Sequence, residues 1–307
     1  MPSNILCFDI GGTSIRAGHS RAMGDLTFLE RIATPTDDHA GFIAALSAFV
    51  GQLDEKPARI AVSLAGVVDP KTGGLIVANI PAIHGTDLAQ DLAEATGIAV
   101  TIANDADCFA VAEAVVGSGA GHDIVFGIIL GTGVGGGLVS GERLINRKGG
   151  FAGEWGHGPV AAQIAGMPPR PVPRFACGCG QTGCLDTAVS ARGMERLDRL
   201  FHGGERSAEA ILEAWRAGEV TAVDTLSVYL DLIAAPLAMV VNMTGASIVP
   251  AGGGLARAHD LVGAIDRAVR PLTLAQPSTP LVVPATSGTE PGLLGAAILG
   301  RQALEEV

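Results

Sequence analysis

Basic residues are scarce in this chain: 20 Lys and Arg stand against 31 Asp and Glu among 307 residues, a formal charge of −11. An extended phosphate backbone is gripped by a basic face. Nucleic acid is therefore not an expected partner, and any anion must be held locally. A secretory leader, which needs a basic segment followed by an apolar one, is missing from Met1 to Asp9, and a cytoplasmic protein is expected. Unbroken apolar runs are also lacking. The longest uncharged stretch, Leu232 to Ala256, is interrupted by Pro236, Asn242, Gly245, Pro250 and Gly252-Gly253-Gly254. It is expected as a buried helix, a strand and a loop, with no membrane partner. There are only five cysteines, and three crowd into Cys177 to Cys184. That pattern argues against a disulfide framework and for a metal.

Apolar residues (48%) and glycine (43 residues) are abundant. The apolar share can fill a sizeable core in one large or two ordinary domains. The glycines gather in short clusters, which suggests loops lined by backbone more than flexible linkers. The run Asn4 to Asp9 ends at Gly11-Gly12 and resumes at Ser14 to Gly18, the pattern of a hairpin with a glycine turn. A second copy starts at Ile124 to Leu130, passes Gly131-Thr132-Gly133 and resumes at Gly137 to Ser140. Two such units about 120 residues apart, each opening a run of mixed strands and helices, predict two related α/β halves. Between them the pattern predicts a helix over 41–53, a strand over 59–64, a helix over 87–96 closed by Gly97, a strand over 100–103 and a helix from Asn104-Asp105 to about Val116. A last helix, 291–303, fits on either half.

The stretch Gly131 to Gly137 matches G-x-G-x-x-G, but a dinucleotide fingerprint needs a helix to begin inside it, and Leu138 to Gly141 continues as strand and turn. What remains is a turn whose backbone N–H groups can face a phosphate, with the Thr132 hydroxyl beside them. One such turn fits an ordinary hairpin as well. Gly131, Thr132 and Gly133, together with Gly11, Gly12 and Thr13 and with Gly252, Gly253 and Gly254, make three loops at strand ends that can enclose a nucleotide. Asp9, at a strand end, can hold a magnesium ion against phosphates, usually through water, or cap the turn. Asn104-Asp105 fits a helix N-cap, and in a phosphoryl-transfer enzyme Asp105 can orient a hydroxyl and take its proton. Cys177, Cys179 and Cys184, with His157 twenty positions before the first, match a closed tetrahedral zinc site of three thiolates and one imidazole, structural because no ligand position is left for water.

In order and spacing, Asp9-Ile-Gly-Gly-Thr13, Asn104-Asp105, Leu130-Gly-Thr-Gly133, Glu154-Trp-Gly-His157, Cys177 to Cys184 and Gly252-Gly-Gly254 resemble the ROK family of repressors, open reading frames and kinases, over essentially the whole chain. The resemblance implies an α/β actin-like/hexokinase (ribonuclease H-like) duplicated two-domain fold, with sugar in the interdomain cleft and ATP against the glycine loops. The domains are expected at 1–117 plus 291–307 and at 118–290, the second carrying the zinc loop. The resemblance further implies Asp105 as the base at the sugar 6-hydroxyl, sugar contacts at Gly66, Asn79, Asn104, Glu154 and His157, Mg2+ beside ATP, and a homodimer. Within the family, Ala78 to Ala82, Asn104 to Ala110 and Ile129 to Leu138 look most like bacterial N-acetylglucosamine kinases. The rival substrates are those of a glucokinase, an N-acetylmannosamine kinase or a fructokinase, and the rival class is a sugar-sensing regulator. The family's repressors carry an N-terminal helix-turn-helix, and only eight residues precede Asp9, so an enzyme is expected. Two departures stand out. Ser14 replaces the usual Lys, and Asp186, expected to contact the sugar with an altered fit around O1 or O2, replaces a Glu one methylene longer.

Overall fold

Residues Ile5–Ile10 (β1) and Ser14–Ser20 (β2) pair antiparallel around the Gly11-Gly12-Thr13 turn, as their alternation predicts, and Thr27–Ala33 (β3) extends the meander. The computed structural model describes residues Asn4 to Glu305. His39–Ala48 (α1) continues into a 3-10 turn, Phe49–Gln52, where the sequence predicts one helix over 41–53. Arg59–Leu64 (β4) runs parallel to β1, and the short pair Val67–Val68 (β5) and Leu75–Ile76 (β6) follows. Leu88–Thr96 (α2) is capped by the Asp87 side chain at one end and by left-handed Gly97 at the other. Val100–Asn104 (β7) lies parallel to β4 and delivers the chain into Asp105–Val116 (α3).

The second half repeats this plan. Ile124–Leu130 (β8), Val134–Ser140 (β9) and Arg143–Leu144 (β10) come first, and β9 starts three residues before the strand expected at Gly137. Ile164–Ala165 (β11) and Arg170–Pro171 (β12) form a small hairpin. Helices Asp186–Val189 (α4), Ala191–His202 (α5), Ala208–Arg216 (α6) and Val220–Thr244 (α7) precede Val249–Gly252 (β13), His259–Val269 (α8), Val282–Pro284 (β14) and Pro291–Glu305 (α9). The strand orders, β3-β2-β1-β4-β7 and β10-β9-β8-β13-β14, are the same pattern used twice. This is the duplicated α/β architecture the two hairpin signals predict.

By compactness the chain through Ala120, Gly137–Ala152 and the chain from Ser287 form one unit, and Gly121–Gly136 with Gly153–Thr286 form another. Segment 137–152 was expected in the second half. It belongs to the first because β10 packs on α3 and because Asn146 Nδ2 donates to the buried Asp107 at 3.1 Å. The first unit's core gathers Phe8, Ile10, Phe42, Leu46, Val62 and Leu64, with Phe8 and Phe49 edge to face at 5.5 Å. Each such side chain contributes about 1.5–3 kcal/mol on burial. In the second unit α7 packs against α5, α6 and α8. Its length and composition would let it cross a membrane, but half of its most apolar stretch is buried within the protein. The helix begins well before the apolar run expected from Leu232 and continues through Pro236, giving up one backbone hydrogen bond there.

Helix α9 settles on the first unit, against α3, β1 and β4. Its contact with α3 is closest at Gly295, where a Cβ would overlap the carbonyl of Cys108. Substituting Gly295→Ala is therefore expected to destabilise the protein by about 3 kcal/mol through overpacking. Urea denaturation measures this, and a change within about 0.5 kcal/mol would contradict so close an approach.

Candidate functional site

In the first unit the expected residues collect where β1, β4 and β7 end. Parallel and antiparallel register set Asp9 opposite both Ser63 and Arg16. The Ser63 hydroxyl donates to Asp9 Oδ1 at 2.8 Å, and Arg16 Nη1 lies 3.1 Å from Oδ2 and 3.3 Å from Glu290. Arg16 thus supplies a cation near the turn where Ser14 has none. Sequence reasoning missed Ser63, which is fully buried. A hydroxyl inside the apolar run of β4 was the only signal for it. Gly11 N–H donates to the Ser14 carbonyl at 3.0 Å, closing the turn and leaving Thr13 exposed. Gly12 lies against Asn79, whose Cβ would stand 3.0 Å from a Cβ built on the glycine. The first turn and one expected sugar contact are therefore neighbours.

Asn104 is the N-cap of α3, so the plain structural role holds. Its Oδ1 accepts from Ala106 N–H at 2.8 Å. Its Nδ2 donates to the Gly66 carbonyl at 2.9 Å, which ties two expected sugar residues together and fixes the amide's orientation. Asp105, half-buried, also accepts from Ala106 N–H, at 2.9 Å. It occupies the first turn of α3, where anionic side chains are favoured by the helix dipole.

In the second unit two glycine turns meet. The Gly131 N–H donates to the Gly133 carbonyl at 3.0 Å, with Thr132 and Gly133 exposed. Gly253 has φ +91°, and a Cβ there would lie 2.5 Å from the Leu130 carbonyl oxygen, so only glycine lets the Gly252–Gly254 turn close on the end of β8. The strand that leaves the first of these turns is steadied by Trp155, whose indole N–H donates to the Gly135 carbonyl at 2.9 Å. Asp186, expected against sugar, accepts the Val134 N–H on its Oδ1 at 2.7 Å.

The ligand atoms of His157, Cys177, Cys179 and Cys184 all lie within 4.8 Å of one another. The Cys179 and Cys184 sulfurs are 3.6 Å apart, and Cys177 Sγ is 3.7 Å from His157 Nδ1. A tetrahedron with bonds of about 2.3 Å to sulfur has sulfur-to-sulfur edges of about 3.8 Å. The donor set and its spacing fit zinc. A backbone N–H from Gln181 holds the Cys179 thiol down to about 7, while burial pushes Cys177 up to about 12. The loop is a tight hairpin, with Cys177 N–H on the Gln181 carbonyl and Gly183 N–H on the Phe175 carbonyl, both at 2.8 Å. Arg196 of α5 stacks on Phe175 at 4.9 Å. His157 turns its other nitrogen, Nε2, to Glu154 at 3.8 Å. A carboxylate beside a metal-bound imidazole orients the ring. Burial raises the Glu154 carboxyl above its ordinary value, offset in part by His157.

Comparison with known proteins adds a third kind of observation. The model of the ROK family matches residues 5–303. An N-acetylgalactosamine kinase of Shewanella sp. strain ANA-3 is 34% identical over 95% of this chain and 95% of its own. An N-acetyl-D-glucosamine kinase of Photobacterium profundum is 33% identical over 95% and 97%. Among solved structures, a ROK family glucokinase from Streptomyces griseus in complex with glucose and AMPPNP superposes with a TM-score of 0.74 at 29% identity, covering 97% of this chain and 99% of that one.

Proposed function

The chain belongs to the ROK family over residues 5–303, and from that premise we propose that it transfers the γ-phosphoryl group of ATP to the 6-hydroxyl of an N-acetylhexosamine, N-acetyl-D-glucosamine first. The names of the two curated relatives support the substrate class. The ATP analogue held by the Streptomyces griseus glucokinase supports the donor. The observation that carries the reading is the Asn104-Asp105 pair, a carboxylate at a strand-to-helix junction beside an amide already locked to Gly66.

On this reading Asp105 receives the 6-hydroxyl and fixes its direction. The sugar oxygen bonds to the γ-phosphorus as the bond from that phosphorus to the ADP oxygen breaks, and the hydroxyl proton passes to the Asp105 carboxylate. Because the transition state is loose and the proton leaves late, positioning matters more than a raised pKa. Gly66, Asn79, Asn104, Glu154 and His157 are the sugar contacts we propose. The turns at Gly11–Thr13, Gly131–Gly133 and Gly252–Gly254 take the nucleotide. Both Asp9 oxygens are engaged, by Ser63 and Arg16, so Asp9 fits Mg2+ held through water. Mg2+ would neutralise charge on the phosphates there. Zinc on His157, Cys177, Cys179 and Cys184 would fix the His157 ring and take no part in the transfer. The enzyme works in the cytoplasm as a homodimer, for which sedimentation should give twice the chain mass.

ADP release with Mg·ATP and a panel of N-acetylglucosamine, N-acetylgalactosamine, N-acetylmannosamine, glucose and fructose tests the proposal. An N-acetylhexosamine is expected to exceed glucose in kcat/KM by about tenfold or more. ATP consumption that no sugar accelerates would remove the kinase reading.

A further inference from the structure

Asp186 departs from the Glu expected at its position, and one of its carboxylate oxygens is engaged by backbone. Oδ1 accepts from the Val134 N–H at 2.7 Å, the first amide after the Gly131–Gly133 turn. The same oxygen sits where a Cβ on Gly133 would come within 2.9 Å of it, so the turn and the carboxylate are fitted to each other. The other end of the turn is held as well, since Ala191 N–H donates to the Gly131 carbonyl at 2.8 Å. Asp186 is fixed in its turn by its own N–H on the Gly156 carbonyl at 2.9 Å and lies two residues after Cys184. The segment from Cys184 to Ala191 therefore clamps both ends of the glycine turn.

We infer that Asp186 is a positioning residue for the nucleotide, setting the conformation of the Gly131–Gly133 turn through its Oδ1. This rests on the kinase reading and deepens it. The physical cause is side-chain length. An aspartate reaches the adjacent backbone N–H, and a short hydrogen bond to a charged acceptor is among the stronger ones available. Exposed glycines at a turn have many conformations to lose when a phosphate binds. Holding the turn in advance lowers that cost and tightens nucleotide binding without touching the ligand.

The test measures binding by calorimetry, MgADP without sugar and N-acetylglucosamine without nucleotide, for the full-length protein and its Asp186→Ala and Asp186→Asn variants. Ala removes the acceptor, and the MgADP Kd is expected to rise about tenfold, at least about threefold more than the sugar Kd. Asn retains a carbonyl oxygen that Val134 N–H can reach, and its MgADP Kd should stay within about threefold of wild type. Should the Ala variant fail to fold, Asp186→Glu replaces it. Its extra methylene carries the carboxylate past Val134, so MgADP again weakens more than sugar does. A rise in the sugar Kd alone, an equal rise in both, or no change in either overturns the inference. Wild-type protein that binds no nucleotide would instead sink the kinase reading, which keeps the two failures distinct.

Discussion

Asp105→Ala is expected to lower kcat by about 10³-fold, in the middle of the range that general acid-base groups supply, while the sugar Kd weakens by no more than about tenfold. The two numbers differ because, as the proposed base, Asp105 would make one hydrogen bond to the bound sugar, worth about 1.5–3 kcal/mol, and a further interaction that exists only as the proton leaves. The fold should survive the substitution. Asn104 Oδ1 and Asp105 Oδ1 both accept from Ala106 N–H, at 2.8 and 2.9 Å, so the first turn of α3 keeps a cap when Asp105 is truncated. Steady-state ADP release and calorimetric sugar binding on the same preparation check the prediction. A kcat loss smaller than tenfold would reassign the base, and a sugar Kd that rises as steeply as kcat falls would make Asp105 a binding residue only.

Zinc removal should have the largest effect on stability. The purified protein is expected to hold one equivalent of zinc, and either chelation or Cys184→Ser should lower its thermal midpoint by about 10 °C or more. Structural zinc sites bind with apparent free energies of about 10–16 kcal/mol, and in a domain of this size each kcal/mol moves the midpoint by about 2–4 °C. Only part of the binding energy need be lost to reach that figure. Cys184 is fully buried and begins the segment that runs through Asp186 into α5. Loosening it therefore frees more than the loop itself. Elemental analysis and calorimetry read both quantities. Protein purified with less than about 0.2 equivalents of any transition metal and an unchanged midpoint would remove the metal from the account.

Most of the local structure was legible because its causes are local. The alternation around Gly11-Gly12, repeated around Gly131-Thr132-Gly133, specified two hairpins, and the capping residues Gly97 and Asn104 marked helix ends where the structure has them. The C-x-C-x₄-C spacing with His157 named four ligands that the fold brings within 4.8 Å. Element boundaries were less legible. Helix α7 starts at Val220, ahead of the uncharged run at Leu232, because Asp224 and Asp231 within it interrupt the apolar run by which the sequence announces a buried helix.

By itself the sequence determined the duplicated α/β plan, the three glycine turns, the metal-binding set and the candidate base, since each depends on residue type at short spacing. Tertiary structure alone decided that segment 137–152 joins the first unit, that Ser63 and Arg16 hold Asp9, and that Asp186 Oδ1 accepts the Val134 N–H. Those facts depend on the register of strands, which sets Arg16 across the hairpin from Asp9, and on contacts between residues far apart in the chain, such as the 54 positions between Asp9 and Ser63 and the 52 between Val134 and Asp186. Side-chain periodicity and spacing within one segment carry no information about such distances, which only the packed chain fixes.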